Sequence, residues 1–399
     1  MRIADSTQLG TLTRVRASPL PSPGPDALAS SHALRALIER EIGEGGGWIP
    51  FVRYMELALY APRLGYYAGG SAKLGAAGDF VTAPETGALF ARTLARQVAP
   101  LLEQHGEILE FGAGSGALAA ALLAELARLG VEMPSYLILE PSAEFAERQR
   151  TRLESAGAAA RVSWIERLPQ RFHGVMIANE VVDAMPVHAL TWTAQGVLER
   201  GVALHEGALA WAERPAKGAA LAAAQAIAIE LPPSGRFESE VNLFGRAWTR
   251  ALARSLEAGA LLVIDYGFPA HEYYHPQRSM GTLMCHYRHH AHGDPFLHPG
   301  LQDITAHVDF SALAHAARDA GLEVLGYGSQ ASFLVNCGIT ELLGQTDPAD
   351  CARYAPLAGE ANRLLSPAEM GELFKVLAVG RGVAGSLLGF TRAERSRTL

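Results

Sequence analysis

Cysteine is scarce: Cys285, Cys337 and Cys351 are the three in 399 residues. Scattered thiols exclude a disulfide scaffold and a cysteine-based zinc site, and they fit a reducing cytoplasm. Positive charge is not in excess either. Lys and Arg total 34 against 41 Asp and Glu, a formal net charge of -7. That balance gives no global attraction for nucleic acid or for an anionic membrane. No run of about 18 uncharged apolar residues occurs, so no membrane helix is expected. Hydrophobic residues make up 49% and charged residues 19%. Such a chain is too apolar for disorder and long enough for a decorated domain or two packed ones.

Four prolines, Pro19, Pro21, Pro23 and Pro25, argue against a helix in the opening stretch, so 1–30 reads as a flexible tail. Over 31–105 the pattern is helices and loops without a strand. Leu34, Leu37, Ile38 and Ile42 repeat at helical spacing, and a second helix is expected over Phe51 to Tyr60. From 106 to 382 apolar runs alternate with helical stretches, the pattern of a parallel sheet buried on both faces. Two insertions interrupt it. One, at about 187–238, begins with the alternation of a β-meander. The other, at about 268–308, is polar and carries eight of the 14 histidines between His271 and His307. Irregular spacing there argues against a metal, and a polar loop lining a groove or a plain surface is expected. Ser366-Pro367-Ala368-Glu369 reads as a helix-starting box, and 383–399 as a tail.

Glu110-Phe111-Gly112-Ala113-Gly114-Ser115-Gly116 follows an expected strand and opens an expected helix. The glycines permit a tight turn and let a ligand approach the backbone, and the helix start supplies free amides. NAD, FAD and S-adenosylmethionine proteins all use such turns. The Gly-x-Gly-x-Gly spacing and Glu110, which would repel a pyrophosphate, favour a cofactor with a cationic amino-acid moiety. Glu140 ends the second apolar run, where a carboxylate can accept from both ribose hydroxyls, or simply stand in water. Asn179-Glu180-Val181-Val182-Asp183-Ala184-Met185-Pro186 ends the fourth, at the edge where doubly wound sheets bind ligands. Glu180 and Asp183 can hold a cation there; the plainer alternative is a cap by Asp183 and a solvated Glu180.

Those segments resemble the MidA-type methyltransferases, class I S-adenosylmethionine enzymes. So do Gly78–Glu85, Asp265-Tyr266-Gly267, Gln302–Phe310 and Met370–Leu377, in order from about Ser31 to Gly382. The resemblance implies an α/β fold: a Rossmann-like seven-stranded sheet ordered 3-2-1-4-5-7-6 with its last strand antiparallel. An N-terminal helical section and an inserted β-meander and loop subdomain decorate it. It implies S-adenosyl-L-methionine as cofactor, held by Glu110, Gly112, Gly114, Gly116, Glu140 and Asn179, and no metal. It places Glu180 and Asp183 on the substrate side, as the catalytic pair. Mitochondrial members act in respiratory complex I assembly and dimethylate a protein arginine. The implied partner is therefore a protein, with a respiratory-complex subunit as one candidate, and a homodimer is compatible.

An arginine acceptor is not deprotonated in bulk water. Paired carboxylates can draw its charge to the far nitrogens, the role expected of Glu180 and Asp183, with Glu85 as a second candidate on a lid. The alanine-rich composition reads as bacterial. Two other readings remain: an assembly factor that binds the cofactor without turnover, and a nicotinamide oxidoreductase, which the glycine spacing disfavours.

Overall fold

The computed structural model describes residues 20–69, 83–132 and 135–399. The Gly78–Thr82 part of the first shared segment lies outside them. Seven strands build the main sheet: β1 (Glu107–Phe111), β2 (Ser135–Leu139), β3 (Val162–Ile165), β4 (Phe172–Asn179), β5 (Leu256–Phe268), β6 (Glu323–Ser329) and β7 (Phe374–Arg381). Their order across the sheet is β6-β7-β5-β4-β1-β2-β3, with the two-residue strand Val308–Asp309 paired to the end of β5. β7 runs antiparallel to both β5 and β6. The other pairings along the sheet are parallel. This is the expected class I methyltransferase order.

The continuous apolar runs arise because both faces are covered. Along β4, Val175 and Ile177 pack into one core while Met176 and Ala178 pack into the other. Side chains of this kind contribute roughly 1.5–3 kcal/mol each when fully buried.

In front of the sheet lie α1 (Pro25–Glu44) and α2 (Phe51–Tyr60). α1 starts six residues before Ser31, because Pro25 occupies the first helical turn, where its missing N–H costs nothing. This section also carries a strand that was not expected: Ile49 and Pro50 pair with Val202 and Gly201. Helices α3 (Leu89–Gln104), α4 (Ala117–Arg128) and α5 (Ala143–Ser155) follow, then α6 (Leu243–Ser255) and α7 (Phe310–Asp319).

The first insertion is an antiparallel meander, His188–Thr193, Gly196–His205 and Ala208–Pro215. Arg236–Val241 adds a fourth strand on the far side of the first. The sequence pattern predicts a helix over about Glu240–Glu257; because of this strand the helix starts at Leu243, capped by the Asn242 side chain. Glu238 and Glu240 disguise this strand as a helix start. Glu240 is buried because its carboxylate accepts from the Thr282 N–H at 2.9 Å and hydroxyl at 2.8 Å.

The histidine-rich stretch is likewise more than a loop. Met284–Tyr287, His290–His292 and Asp303–Thr305 form a small sheet. Its Cys285 and Ile304 share a core with α1, α2 and the meander. Among the described residues no group of three or more His, Cys, Asp and Glu could hold a metal ion. None of the helices there is long and apolar enough to cross a membrane.

Two terminal features also differ from expectation. Ser366 closes the helix Cys351–Leu365 instead of opening one, and Pro367 follows the stop. The 383–399 segment is anchored: Leu387 and Phe390 are buried, and the Arg395 N–H donates to the Tyr327 carbonyl at 2.7 Å.

Candidate active site

A cavity of about 790 Å³ opens at the carboxyl ends of β1, β2 and β4. Glu110, Gly112, Gly114, Glu140, Asn179, Glu180 and Asp183 all stand on its wall. Gly116 stands off the wall: it is the N-cap of α4, at φ 82°. The turn needs its glycines, since Gly112 and Gly114 also have positive φ, 60° and 55°. A Cβ on Gly112 would come within 3.2 Å of Val181, so the turn packs against the β4 loop.

At the β2 end, the Glu140 carboxylate accepts from the Ser142 N–H at 2.9 Å and from Gln149 Nε2 at 3.0 Å. Burial pushes its pKa up, and these bonds pull it back. The same Gln149 amide donates to the Gly114 carbonyl at 3.0 Å, and Trp164 Nε1 donates to Gln149 Oε1 at 2.8 Å. Gln149 is completely buried and ties the glycine turn to the β2 carboxylate. Nothing in its local sequence signals this, because it sits on the polar-looking helix α5. Gln149→Leu keeps most of the volume and removes all three bonds, two of them to cofactor-side groups. Affinity for S-adenosyl-homocysteine should fall about tenfold, from the loss of hydrogen bonds worth about 1 kcal/mol each, when titrated by calorimetry. Unchanged affinity would separate Gln149 from the site.

Glu110 is almost fully buried and takes the Tyr136 hydroxyl at 2.6 Å; burial raises its pKa to about 7. Glu85, the second candidate for gripping a cation, already has one. Arg152 lies 3.3 Å from it, and the Ser115 hydroxyl also donates to it. Its carboxylate fastens the Ala83–Thr86 turn to the glycine loop and α5.

Glu180 and Asp183 meet in the other half of the cavity. Glu180 sits at φ 53°, a left-handed conformation uncommon outside glycine. Its carboxylate accepts from Asn179 Nδ2 at 3.2 Å and from the Ala83 N–H at 3.4 Å. Burial first, then the neighbouring Asp183 charge, raises it to about 8. Asp183 is raised to about 6, chiefly by burial, while the Tyr266 hydroxyl donates to its Oδ2. Its Oδ1 is buried and has no partner among the described residues, and neither has Asn179 Oδ1.

Tyrosines that the sequence did not single out complete this half. Tyr60 and Tyr67 stack with ring centroids 5.5 Å apart, both on the cavity wall. The Tyr60 hydroxyl donates to the Ala184 carbonyl at 2.9 Å, and that of Tyr67 to Asp303 Oδ1 at 3.0 Å. Trp248 on α6 also reaches the wall, edge-on to Phe111.

This arrangement suits a cofactor with a cationic amino-acid end. The Gly112–Gly114 turn leaves room for ligand atoms against the backbone, Glu140 keeps acceptor capacity, and Asn179 Oδ1 is a buried acceptor with no donor among the described residues. Leu139 and Phe145 supply apolar wall.

Residues 89–328 match the family described as "Putative S-adenosyl-L-methionine-dependent methyltransferase", and the chain belongs to that family. Its cofactor is S-adenosyl-L-methionine. A protein from Burkholderia thailandensis, solved with S-adenosyl-homocysteine bound, is 52% identical and superposes with a TM-score of 0.91. That match covers 95% of this chain and 100% of the other. The chain is also similar to a Drosophila melanogaster protein, "Protein arginine methyltransferase NDUFAF7 homolog, mitochondrial". That relative is 28% identical, over 86% of this chain and 84% of its own length. The Danio rerio protein arginine methyltransferase NDUFAF7 is 29% identical, over 84% and 83%.

Proposed function

We propose that this methyltransferase acts on an arginine side chain of a protein. The observation that carries the reading is Asp183 Oδ1, without a partner among the described residues and buried beside the Glu180 carboxylate on a wall shared with the cofactor positions. A buried carboxylate oxygen without a donor is costly, and a guanidinium supplies donors in a planar fork that two carboxylates can share. The stacked Tyr60 and Tyr67 add aromatic surface suited to a planar cation. The relatives named as arginine methyltransferases point the same way.

In this reading the Gly112–Gly114 turn, Asn179 and Glu140 hold the cofactor, which supplies an electrophilic methyl group. Glu180 and Asp183 bind the guanidinium, draw its positive charge away from the reacting nitrogen and orient that nitrogen. Glu180 is also placed to receive the proton that the guanidinium gives up. The test is a labelled-methyl transfer assay on lysate from a strain lacking the protein, with mass spectrometry of the modified residue. Methylarginine supports the reading; label confined to lysine, to a small molecule or absent altogether refutes it.

The pH dependence has a definite sign. A carboxyl with a raised pKa is neutral at low pH and cannot hold a cation. As pH rises through about 6 for Asp183 and about 8 for Glu180, both ionise and the grip forms. Tyr266 beside them is held above its ordinary value by burial and stays protonated. His307 is lowered to about 4 by burial and stays neutral. Measured at saturating cofactor, since Glu110 on the cofactor side also ionises near pH 7, the acceptor kcat/KM should therefore rise about tenfold between roughly pH 6.5 and 8.5. A flat profile would remove carboxylate ionisation from acceptor binding.

A further inference from the structure

β4 and β5 run parallel with Ile264 opposite Asn179. The two strands therefore end at the same level, and the residue after Ile264 meets the loop that follows β4. That residue is Asp265, with no exposed surface. Its Oδ2 accepts from the backbone N–H of Val181 at 3.2 Å, Val182 at 2.9 Å and Asp183 at 3.3 Å. Its Oδ1 accepts from the Tyr266 N–H at 3.0 Å.

The carbonyls of the same loop are held by other elements. Asn242 Nδ2 donates to the Val182 carbonyl at 3.1 Å, the Ala306 N–H to that of Asp183 at 3.0 Å, and Tyr60 to that of Ala184. Its three consecutive amides all converge on one carboxylate oxygen. Immediately before them stands Glu180 in its left-handed conformation, its own N–H on the Ile264 carbonyl at 2.9 Å.

Tyr266 completes the frame. Its hydroxyl donates to Asp183 Oδ2, and its ring meets those of His307 and Phe374 edge-on, with centroids 5.4 Å away in each case. Asp183 is thus turned so that Oδ1 is the oxygen left for a ligand. Gly267, next in the chain, lets Val308 come close; a Cβ there would lie 2.1 Å from the Val308 carbonyl oxygen.

We propose that Asp265 and Tyr266 are positioning residues for the acceptor. Asp265 gathers the 181–183 amides and Tyr266 takes one Asp183 oxygen, so that Glu180 and Asp183 Oδ1 are presented in one fixed geometry. The proposal rests on the arginine reading above for what is presented to. Both residues act through Glu180 and Asp183 and need not touch the reacting atoms.

Two variants of the full-length protein test it. Tyr266→Phe keeps the ring and removes the hydroxyl. Acceptor kcat/KM should fall about 10- to 100-fold, from loss of a hydrogen bond to a charged group, with S-adenosyl-homocysteine affinity and thermal melting unchanged. Asp265→Asn should speed deuterium exchange in peptides spanning 181–183 and cut turnover by a similar factor, again without weakening the cofactor. A merely structural role would lower melting and cofactor affinity together and leave the kinetics of the surviving folded fraction alone.

Unchanged exchange at 181–183 in folded Asp265→Asn overturns the Asp265 role, and wild-type acceptor kinetics in Tyr266→Phe overturn the other. If Asp265→Asn does not fold, Tyr266→Phe decides alone. If the wild-type protein modifies no arginine, the functional reading fails. The exchange measurement then still reports whether Asp265 holds the loop.

Discussion

Gly114→Val is expected to abolish binding of S-adenosyl-homocysteine while leaving a folded protein. Gly114 has φ 55°, and its carbonyl is fixed by Gln149 at 3.0 Å. A β-branched residue in that region costs roughly 1–2 kcal/mol by sterics alone. The larger effect is local. Gly114 is on the cavity wall, so the new side chain occupies the space where ligand atoms must meet the backbone. Melting should drop by a few degrees, in line with about 1–2 kcal/mol. Affinity should drop by more than about 100-fold, because the ligand loses close backbone contact and the turn can relax only by breaking the Gln149 bonds. Calorimetry alongside thermal unfolding separates the two effects. Full affinity in a folded variant would place the cofactor elsewhere.

The main sheet was legible because its physics is local. β1, β4 and β5 carry continuous apolar runs, Ile108-Leu109, Val175–Ala178 and Ala260–Ile264, since both sheet faces are covered there, and the glycine turn marks where β1 gives way to α4. The Arg236–Val241 strand was hidden because Glu238 and Glu240 look solvent-bound in one dimension. Their partners, Arg200 for Glu238 at 2.6 Å and Thr282 for Glu240, are distant in sequence.

The site divided along the same line. Carboxylates and glycines at strand ends are visible because such positions carry ligand chemistry in a doubly wound sheet. Tyr60, Tyr67 and Gln149 were not, because a tyrosine at a helix end and a glutamine within a charged helix have no local signature. Only the packing of α2 against the meander, and of α5 against α4, brings them to the cavity. Asp265 was visible as part of a shared motif, but its work is set by the register between β4 and β5.

Glu180→Gln gives the sharpest test of the acceptor site. The amide is nearly isosteric, and glutamine tolerates the left-handed backbone about as well as glutamate does, so the fold should survive. The Asn179 and Ala83 donors to Oε1 can still be met by the amide oxygen. What is lost is the charge. At about 4 Å and an effective dielectric of about 20, a charge pair is worth about 4 kcal/mol before desolvation is subtracted. Turnover on the acceptor should fall about 100-fold or more, while S-adenosyl-homocysteine affinity stays within about twofold. Removing the Glu180 charge also relieves the buried Asp265, whose pKa it helps to raise. The upper limb of the pH profile, assigned to Glu180, should vanish, leaving the rise near pH 6 that belongs to Asp183. Asp183→Asn should lose the lower limb and keep the upper one, moved to lower pH because the Asp183 charge that helps to raise Glu180 is gone. Cofactor binding lost with turnover retained at saturation would move Glu180 to the cofactor side. Full activity in both variants would sink the carboxylate grip and favour a neutral acceptor.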